Sequence, residues 1–392
     1  MDALILSCGT GGGHNAAGKA VMEELLGRNH HAVMMNPYTL HSDKLAEQID
    51  RLYISAAKKA PGAFGAIYKA GELYRKLPFR SPVYQVNQKM VSVMQEYLEE
   101  HHFDIVIMPH LFPAEIMTNM KRRGIQIPKT LFIATDYCCI PFTEETDCDA
   151  YVIPSEELEE DFARRGIPLD RLYPYGIPVD SSFGTEMRYP EKSDAENAEA
   201  EDKDYILISG GSMGAGKIEK FVGLLLESME REELKNDVNI IVVCGSNQEL
   251  YRKLERRYGR QIIVIGHTDC MADYLRASRL YITKPGGLSS TEAAVSGIPL
   301  LHMPPIPGCE TCNAQYFRNR NMSMTCKVTG EGAREVLALL DQEEFCRDMV
   351  KNQQRHIRRD GAIQICRLAE RLVSDQEEQP EAILRFRMGT GV

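Results

Sequence analysis

Apolar runs and amphipathic stretches alternate along the first half of this chain. Short apolar runs predict strands at Ala3–Ser7, His31–Asn36, Asp104–Pro109, Thr130–Thr135 and Ala150–Ile153. Between and after them, helical spacing predicts helices at Asn15–Gly27, Gln85–His101, Pro113–Arg123 and Ser155–Arg165. The second half repeats the rhythm. Its strands fall at Tyr205–Ser209, Val238–Cys244, Ile262–Ile265, Leu280–Thr283 and Pro299–His302, and its helices at Lys217–Met229, Gln248–Tyr258, Met271–Ala277 and Ser290–Ser296. Near-continuous apolar strands alternating with helices imply parallel sheets covered on both faces.

The halves also open alike. Leu4-Ile-Leu-Ser-Cys-Gly-Thr-Gly-Gly-Gly and Ile206-Leu-Ile-Ser-Gly-Gly-Ser-Met-Gly-Ala each give a buried strand, a Ser, then a glycine loop before a helix. The fold class is therefore α/β, with two Rossmann-like domains at residues 1–183 and 205–350. Residues 184–204 read as a solvated linker, because Glu186–Asp204 holds eight acids against three bases. Glu343–Gln376 is helical in pattern and could pack on either domain; residues 351–392 form a C-terminal helical segment.

Composition narrows the function. A chain of 392 residues, 43% apolar and 26% charged, can fill two cores and is not disordered. A net charge of −10 argues against a dedicated nucleic-acid binder. No apolar run approaches the ~18 residues of a membrane span. The run Ala3–Leu6 is too short for a secretion signal, and no basic region precedes it. Eleven scattered Cys without framework spacing suit reduced thiols.

One segment runs against the net charge. Arg51–Met90 carries eight bases and one acid, with Tyr53, Phe64, Tyr68, Tyr74, Phe79 and Tyr84 interleaved. Bases attract anionic headgroups and aromatics sit at the lipid interface. Lys58, Lys59, Phe64, Lys69, Arg75, Lys76, Phe79 and Arg80 are the candidate membrane contacts. A solvated helical face and nucleobase stacking are the competing readings.

Glycine loops after a first strand usually serve anion binding at a helix N-terminus. Gly11-Gly-Gly13-His-Asn-Ala16 fits a dinucleotide loop, but Asn36 stands where its ribose-binding acid belongs. Gly211-Ser-Met-Gly-Ala-Gly216-Lys217 fits a P-loop, but Ile218 lacks the hydroxyl that holds Mg²⁺. The more specific segment is Thr283-Lys-Pro-Gly-Gly-Leu-Ser-Ser-Thr-Glu-Ala-Ala. Its glycines turn tightly, and free N–H groups at Leu288, Ser289 and Ser290 suit a diphosphate. Glu292, placed in the first turn of the following helix, suits bidentate bonds to ribose hydroxyls; alternatively it complements the helix dipole. Cys309-x-x-Cys312 has no second pair at metal-ligand spacing, and Cys138 and Cys139 read as packed thiols.

These motifs together resemble the GT-B glycosyltransferases of the monogalactosyldiacylglycerol synthase and processive diacylglycerol glucosyltransferase family. The resemblance spans roughly residues 1–330. It rests on Gly11-Gly-Gly13-His14, Thr135-Asp-Tyr137, Pro154-Ser-Glu156, Gly176-Ile-Pro-Val179, Gly210–Gly214, the Pro-Gly-Gly turn at Pro285–Gly287, and Pro307-Gly-Cys309-Glu310-Thr-Cys312-Asn313. Two positions depart. Cys309 stands where the family usually has Gln near the donor sugar, and Ile140-Pro-Phe-Thr143 replaces His-Pro-Phe-Trp on the acceptor side.

The resemblance implies an inverting, metal-independent transfer of a hexose from a UDP-sugar to a lipid hydroxyl, diacylglycerol foremost. His14 would be the base, since a His near pKa 6.5 suits proton abstraction at neutral pH; capping a helix is its bland alternative. Asp136 would orient His14 or bind acceptor hydroxyls, or merely form a turn. Gly12 and Gly13 would approach the donor. Gly211, Ser212, Met213 and Gly214 would lie near the phosphates, and Gly266 and His267 near the base. Gly287, Leu288, Ser289 and Ser290 would hold the diphosphate, Glu292 the ribose, and Glu310 and Asn313 would face the sugar. No cofactor or metal is expected. The expected place is the cytoplasm, peripherally on the inner face of the cell membrane. A lipid-linked cell-wall N-acetylglucosaminyltransferase, a UDP-sugar epimerase or hydrolase, and a non-catalytic UDP-sugar sensor are the alternatives.

Overall fold

The computed structural model describes residues 1–9, 12–48, 71, 74, 79–184, 204–231 and 238–388, without the side chains of 204 and 375–388. The first sheet holds β1 (Asp2–Leu6), β2 (His31–Met35), β3 (Ile105–Met108), β4 (Lys129–Ile133), β5 (Ala150–Val152) and β6 (Leu172–Tyr173). Their spatial order is β2-β1-β3-β4-β5-β6, with every pairing parallel. The second sheet holds β7 (Asp204–Ser209), β8 (Val238–Val243), β9 (Ile263–Ile265), β10 (Leu280–Thr283), β11 (Leu300–His302) and β12 (Met324–Thr325). Its order is β12-β11-β10-β7-β8-β9, again all parallel. Leu4, Ile5, Val106, Ile107, Ile206 and Leu207 are fully buried, as strands covered on both faces must be.

The helices of the first half are α1 (Gly12–Gly27), α2 (Pro82–Asn87), α3 (Val91–Glu100), α4 (Leu111–Arg122) and α5 (Glu159–Arg164). The second half supplies α6 (Ile218–Arg231), α7 (Gln248–Tyr258), α8 (Met271–Arg276), α9 (Gly287–Ser296), α10 (Cys309–Asn319) and α11 (Gly330–Leu339). Two helices, α12 (Glu343–His356) and α13 (Gly361–Met388), close the chain. They settle where the C-terminal segment packs. Gln353 of α12 donates to the carbonyls of Ile298 (3.1 Å) and Met322 (3.0 Å) in the second domain. Ile365, Cys366, Leu368 and Ala369 of α13 join the first domain's core beside Ile5, Val21 and Leu25.

Several elements differ from the sequence expectation. The stretch expected as Gln85–His101 is α2 and α3 joined by a 3₁₀ turn at Gln88–Met90. Ser81 caps α2, accepting from the Tyr84 N–H, and Pro82 starts it. Two-residue β6 and β12 carry too few positions to show a period. The linker 184–204 falls, beyond Gly184 and before Asp204, outside the described residues, as do Lys58, Lys59, Phe64, Lys69, Arg75 and Lys76. Of the candidate membrane contacts, Phe79 is 67% exposed, and Arg80 is exposed with its guanidinium 5.5 Å from the Tyr84 ring centre.

In each sheet the strand order reverses beside the first strand, between β1 and β3 and between β7 and β10. Ligands of open parallel sheets sit beyond the carboxyl ends of strands at such switch points. Both glycine loops and the Pro-Gly-Gly turn emerge there.

Candidate active site

His14 lies in the first turn of α1, which the Ser7 hydroxyl ties to β1 by donating to Asn15 Oδ1 at 2.6 Å. The carboxyl ends of β3 and β4 fix its ring. Nδ1 lies 2.8 Å from the Pro109 carbonyl oxygen and 2.9 Å from Thr135 Oγ1. A carbonyl only accepts, so Nδ1 carries the hydrogen and Nε2 keeps its lone pair. The His110 ring stands edge-on, 4.5 Å away. Burial lowers the His14 pKa from 6.5, opposed by the Asp136 charge and the Pro109 bond. His14 is therefore a neutral base at pH 7.

Asp136 does not orient that ring by a hydrogen bond, as the sequence reading allowed. Thr135 and Pro109 hold Nδ1, and Asp136 Oδ1 instead accepts from Asn313 Nδ2 at 2.7 Å. Asp136 acts on His14 only through its charge.

The second domain meets this face with two loops. Gly211 and Gly214 have φ of +68° and +55°, and a Cβ on Gly214 would lie 2.1 Å from the Cys244 carbonyl. Only glycine lets this loop fold onto the end of β8. The loop carries Ser212, whose Oγ accepts from the Gly12 N–H of the other domain at 2.9 Å; Met213 beside it is buried. The N-terminus of α9 docks on the end of β4, where a Cβ on Gly287 would lie 1.9 Å from the Thr135 carbonyl oxygen. A Cβ on Gly13 would stand 3.6 Å from Leu288. Gly266 and exposed His267 follow β9 on the same edge of the sheet.

Helix α9 begins at Gly287, three residues before the expected Ser290, because extended Gly286 serves as its cap without any side-chain bond. Two assignments change. Glu292 lies in the second turn, one turn beyond Leu288 on the same face. Ser290 does not face a diphosphate: its N–H donates to the Gly286 carbonyl at 3.0 Å, and its buried hydroxyl lies 3.0 Å from His302 Nε2. The N–H groups of Gly287, Leu288 and Ser289 have no acceptor within the helix. Burial and the Asp180 charge push the Glu292 carboxyl up to about 7.

The two residues expected at the sugar are held in place by protein. Lys284 Nζ lies 2.7 Å from Glu310 Oε1, and the Ile306 N–H donates to Oε2 at 2.9 Å. Asn313 is fully buried and bridges the domains. Its amide donates to Asp136 and to the Pro285 carbonyl (3.0 Å), while its oxygen accepts from the Tyr137 N–H (2.7 Å).

Comparison with known proteins places both halves. Residues 14–179 match the monogalactosyldiacylglycerol synthase family model, and residues 205–362 match the C-terminal domain of glycosyltransferase family 28. The chain belongs to the monogalactosyldiacylglycerol synthase group of family 28 glycosyltransferases. Among its relatives, the processive diacylglycerol beta-glucosyltransferase of Bacillus subtilis is 26% identical over 354 residues, 89% of each chain. MurG of Acinetobacter baumannii superposes with a TM-score of 0.58 at 16% identity, covering 94% of this chain and 99% of that one. UDP-GlcNAc 2-epimerase from Neisseria meningitidis, bound to UDP-GlcNAc, gives 0.60 at 14% identity, covering 95% and 100%. These likenesses establish the two-domain GT-B fold.

This family 28 site contains residues that sequence reasoning missed. Pro109, His110 and Thr135 surround His14 only because β3 pairs with β1, and β4 with β3, so that their carboxyl ends share one edge. No local pattern marks Pro109 or His110, while Thr135 opens the Thr-Asp-Tyr motif without its bond to His14 being legible there. Lys284 was legible: it directly precedes Pro285-Gly-Gly at the end of β10. It brings a cation to the Gly211–Gly214 loop, since a Cβ on Gly211 would be 3.0 Å from its Cε.

Proposed function

We propose that this chain transfers a hexose from a UDP-sugar to the hydroxyl of diacylglycerol or a related membrane lipid, inverting the anomeric carbon. One observation carries the reading: a neutral, oriented His14 from one domain adjoins the anion-binding start of α9 from the other, with Gly13 beside Leu288. The family and its diacylglycerol-named relatives support the lipid acceptor.

In this reading His14 Nε2 takes the proton of the attacking hydroxyl. The new C–O bond forms at the anomeric carbon as the bond to the diphosphate oxygen breaks on the opposite face. The charge left on UDP meets the free N–H groups of α9 and the Lys284 ammonium, fixed dipoles and charge that need no reorganisation. Glu292 accepts from the ribose hydroxyls. That donor set needs no metal. Incubating the protein with UDP-glucose, UDP-galactose and UDP-N-acetylglucosamine over diacylglycerol vesicles, then weighing the lipids by mass spectrometry, tests the reaction. Sugar-nucleotide turnover without a lipid product would favour an epimerase or hydrolase instead.

The same proposal places the protein on the inner face of the cell membrane. Among the described residues, no helix is long and apolar enough to cross it. Docking rests on the basic, aromatic segment 51–90, where each Lys or Arg near an anionic surface contributes about 1 kcal/mol. Changing Lys58, Lys59, Arg75 and Lys76 to Glu should abolish flotation with anionic vesicles at low salt. Activity on a short-chain, water-soluble acceptor should survive. Equal flotation of variant and wild type would show the segment to be a solvated face.

A further inference from the structure

The start of α9 has no side-chain cap, because Gly286 offers none. Its hydrogen-bonded hold on the second domain comes from Ser290 instead. That hydroxyl lies 3.0 Å from Nε2 of His302, the last residue of β11. The other ring nitrogen, Nδ1, lies 3.1 Å from the hydroxyl of Ser323, which directly precedes β12. All three side chains are buried. The sheet fixes the ring in turn. His302 pairs with Thr283 of β10 on one side and Thr325 of β12 on the other, and the Phe317 ring of α10 stands edge-on at 5.5 Å. Burial pushes the imidazole down to about 3, so the ring is neutral. One nitrogen then donates and the other accepts, and a hydroxyl on each side satisfies both.

We propose that His302 is a positioning residue for the sugar nucleotide: through Ser290 it fixes the first turn of α9 and so aims the N–H groups of Gly287, Leu288 and Ser289 at the diphosphate. The inference rests on the proposed function, which puts the diphosphate there. Ser290 directly follows those three residues. A helix rises about 1.5 Å and turns about 100° per residue, so an anchor at 290 sets the rotation of all three within about 5 Å along the axis. Ser is a poorer helix former than Ala, and a buried hydroxyl facing an apolar wall would go unpaired. Ser290 thus gives up local stability for a directed bond.

The next residue is tied differently. The Thr291 hydroxyl donates to the Gly287 carbonyl at 2.7 Å, so it accepts from the Tyr137 hydroxyl of the other domain, also at 2.7 Å. The first turns of α9 therefore have one pin in their own domain and one across the joint. The pin at Ser290 is the one that does not depend on how the domains meet.

The test measures UDP and uridine binding by calorimetry, with no lipid present. His302→Ala and Ser290→Ala should each weaken UDP about tenfold, the scale of one hydrogen bond, and leave uridine unchanged. Ser290→Ala raises helix propensity, so weaker UDP binding by that variant reports lost aim rather than an unravelled helix. A Gln amide reaches the place of Nε2 and an Asn amide that of Nδ1. His302→Gln should therefore restore most of the UDP affinity, and His302→Asn should not. In the transfer assay, His302→Ala should raise KM for the UDP-sugar and leave KM for the lipid unchanged. UDP and uridine weakened together, equal rescue by Gln and Asn, or wild-type UDP affinity in both folded Ala variants would overturn the proposal. Wild-type protein that binds UDP but yields no lipid product would sink the transfer reading and leave His302 in its role; wild-type protein that binds no UDP would overturn both.

Discussion

In the proposed function, ribose recognition turns on the proton of Glu292. Its carboxyl is held at about 7 by burial and by the facing Asp180 charge, against an ordinary 4.5. Ribose hydroxyls donate to the ionised form, so binding draws the pKa back down and expels the proton. The sign follows: a proton-binding group in the free protein opposes the ligand as pH falls. With a free value near 7, about half the molecules carry the proton at pH 7 and about nine in ten at pH 6. Binding should then release about 0.5 and about 0.9 proton, and affinity should be about tenfold weaker at pH 6 than at pH 8. UDP-glucose is the ligand to use, because its diphosphate diester has no ionisation near neutrality. Calorimetry in two buffers of different ionisation heat reads the released protons directly. Glu292→Gln should abolish the release, flatten the pH dependence, and weaken binding by about 1.5–3 kcal/mol, the scale of hydrogen bonds to a charged group. Equal heats in both buffers for the wild type at pH 6, or an unchanged pH dependence in the folded variant, would refute the ribose assignment.

Three further outcomes are expected. His14→Ala should cut turnover about 10²–10⁴-fold, the range for a general base, with UDP affinity in calorimetry little changed. Asp136→Asn removes the charge that raises the His14 pKa, so the acid limb of kcat/KM should move to lower pH in the pH–rate profile. Gly287→Ala places a methyl 1.9 Å from the Thr135 carbonyl, so it must part the domains; turnover should fall and small-angle scattering should show a larger radius, with circular dichroism unchanged.

Both sheets were legible because doubly covered strands are unbroken apolar runs, and the carboxyl-end loops followed from strand–helix alternation. The start of α9 was not. Gly286 caps α9 through extended backbone, while capping rules look for Ser, Thr, Asp or Asn, so Ser289 and Ser290 attracted the start. Rotation of about 100° per residue then turns Ser290 inward to His302. The partner of Asp136 was equally out of reach. Asn313 stands 177 positions away, and both residues invite a ligand role when read locally. In the structure they bond to each other across the domains.

Thr135 links that joint to His14 directly, beside the charge of Asp136. Thr135 holds the His14 ring with its hydroxyl and seats α9 with its carbonyl. The bond lies within one domain, and the packing contact lies between two. Thr135 and Pro109 both belong to the first domain, so the orientation of the His14 ring is fixed without the second. In the proposed reaction, domain closure adds the start of α9, and with it the donor. A catalytic group oriented before the substrates meet leaves closure with only the reacting carbon to position, and that positioning is where bringing two reactants together lowers the barrier.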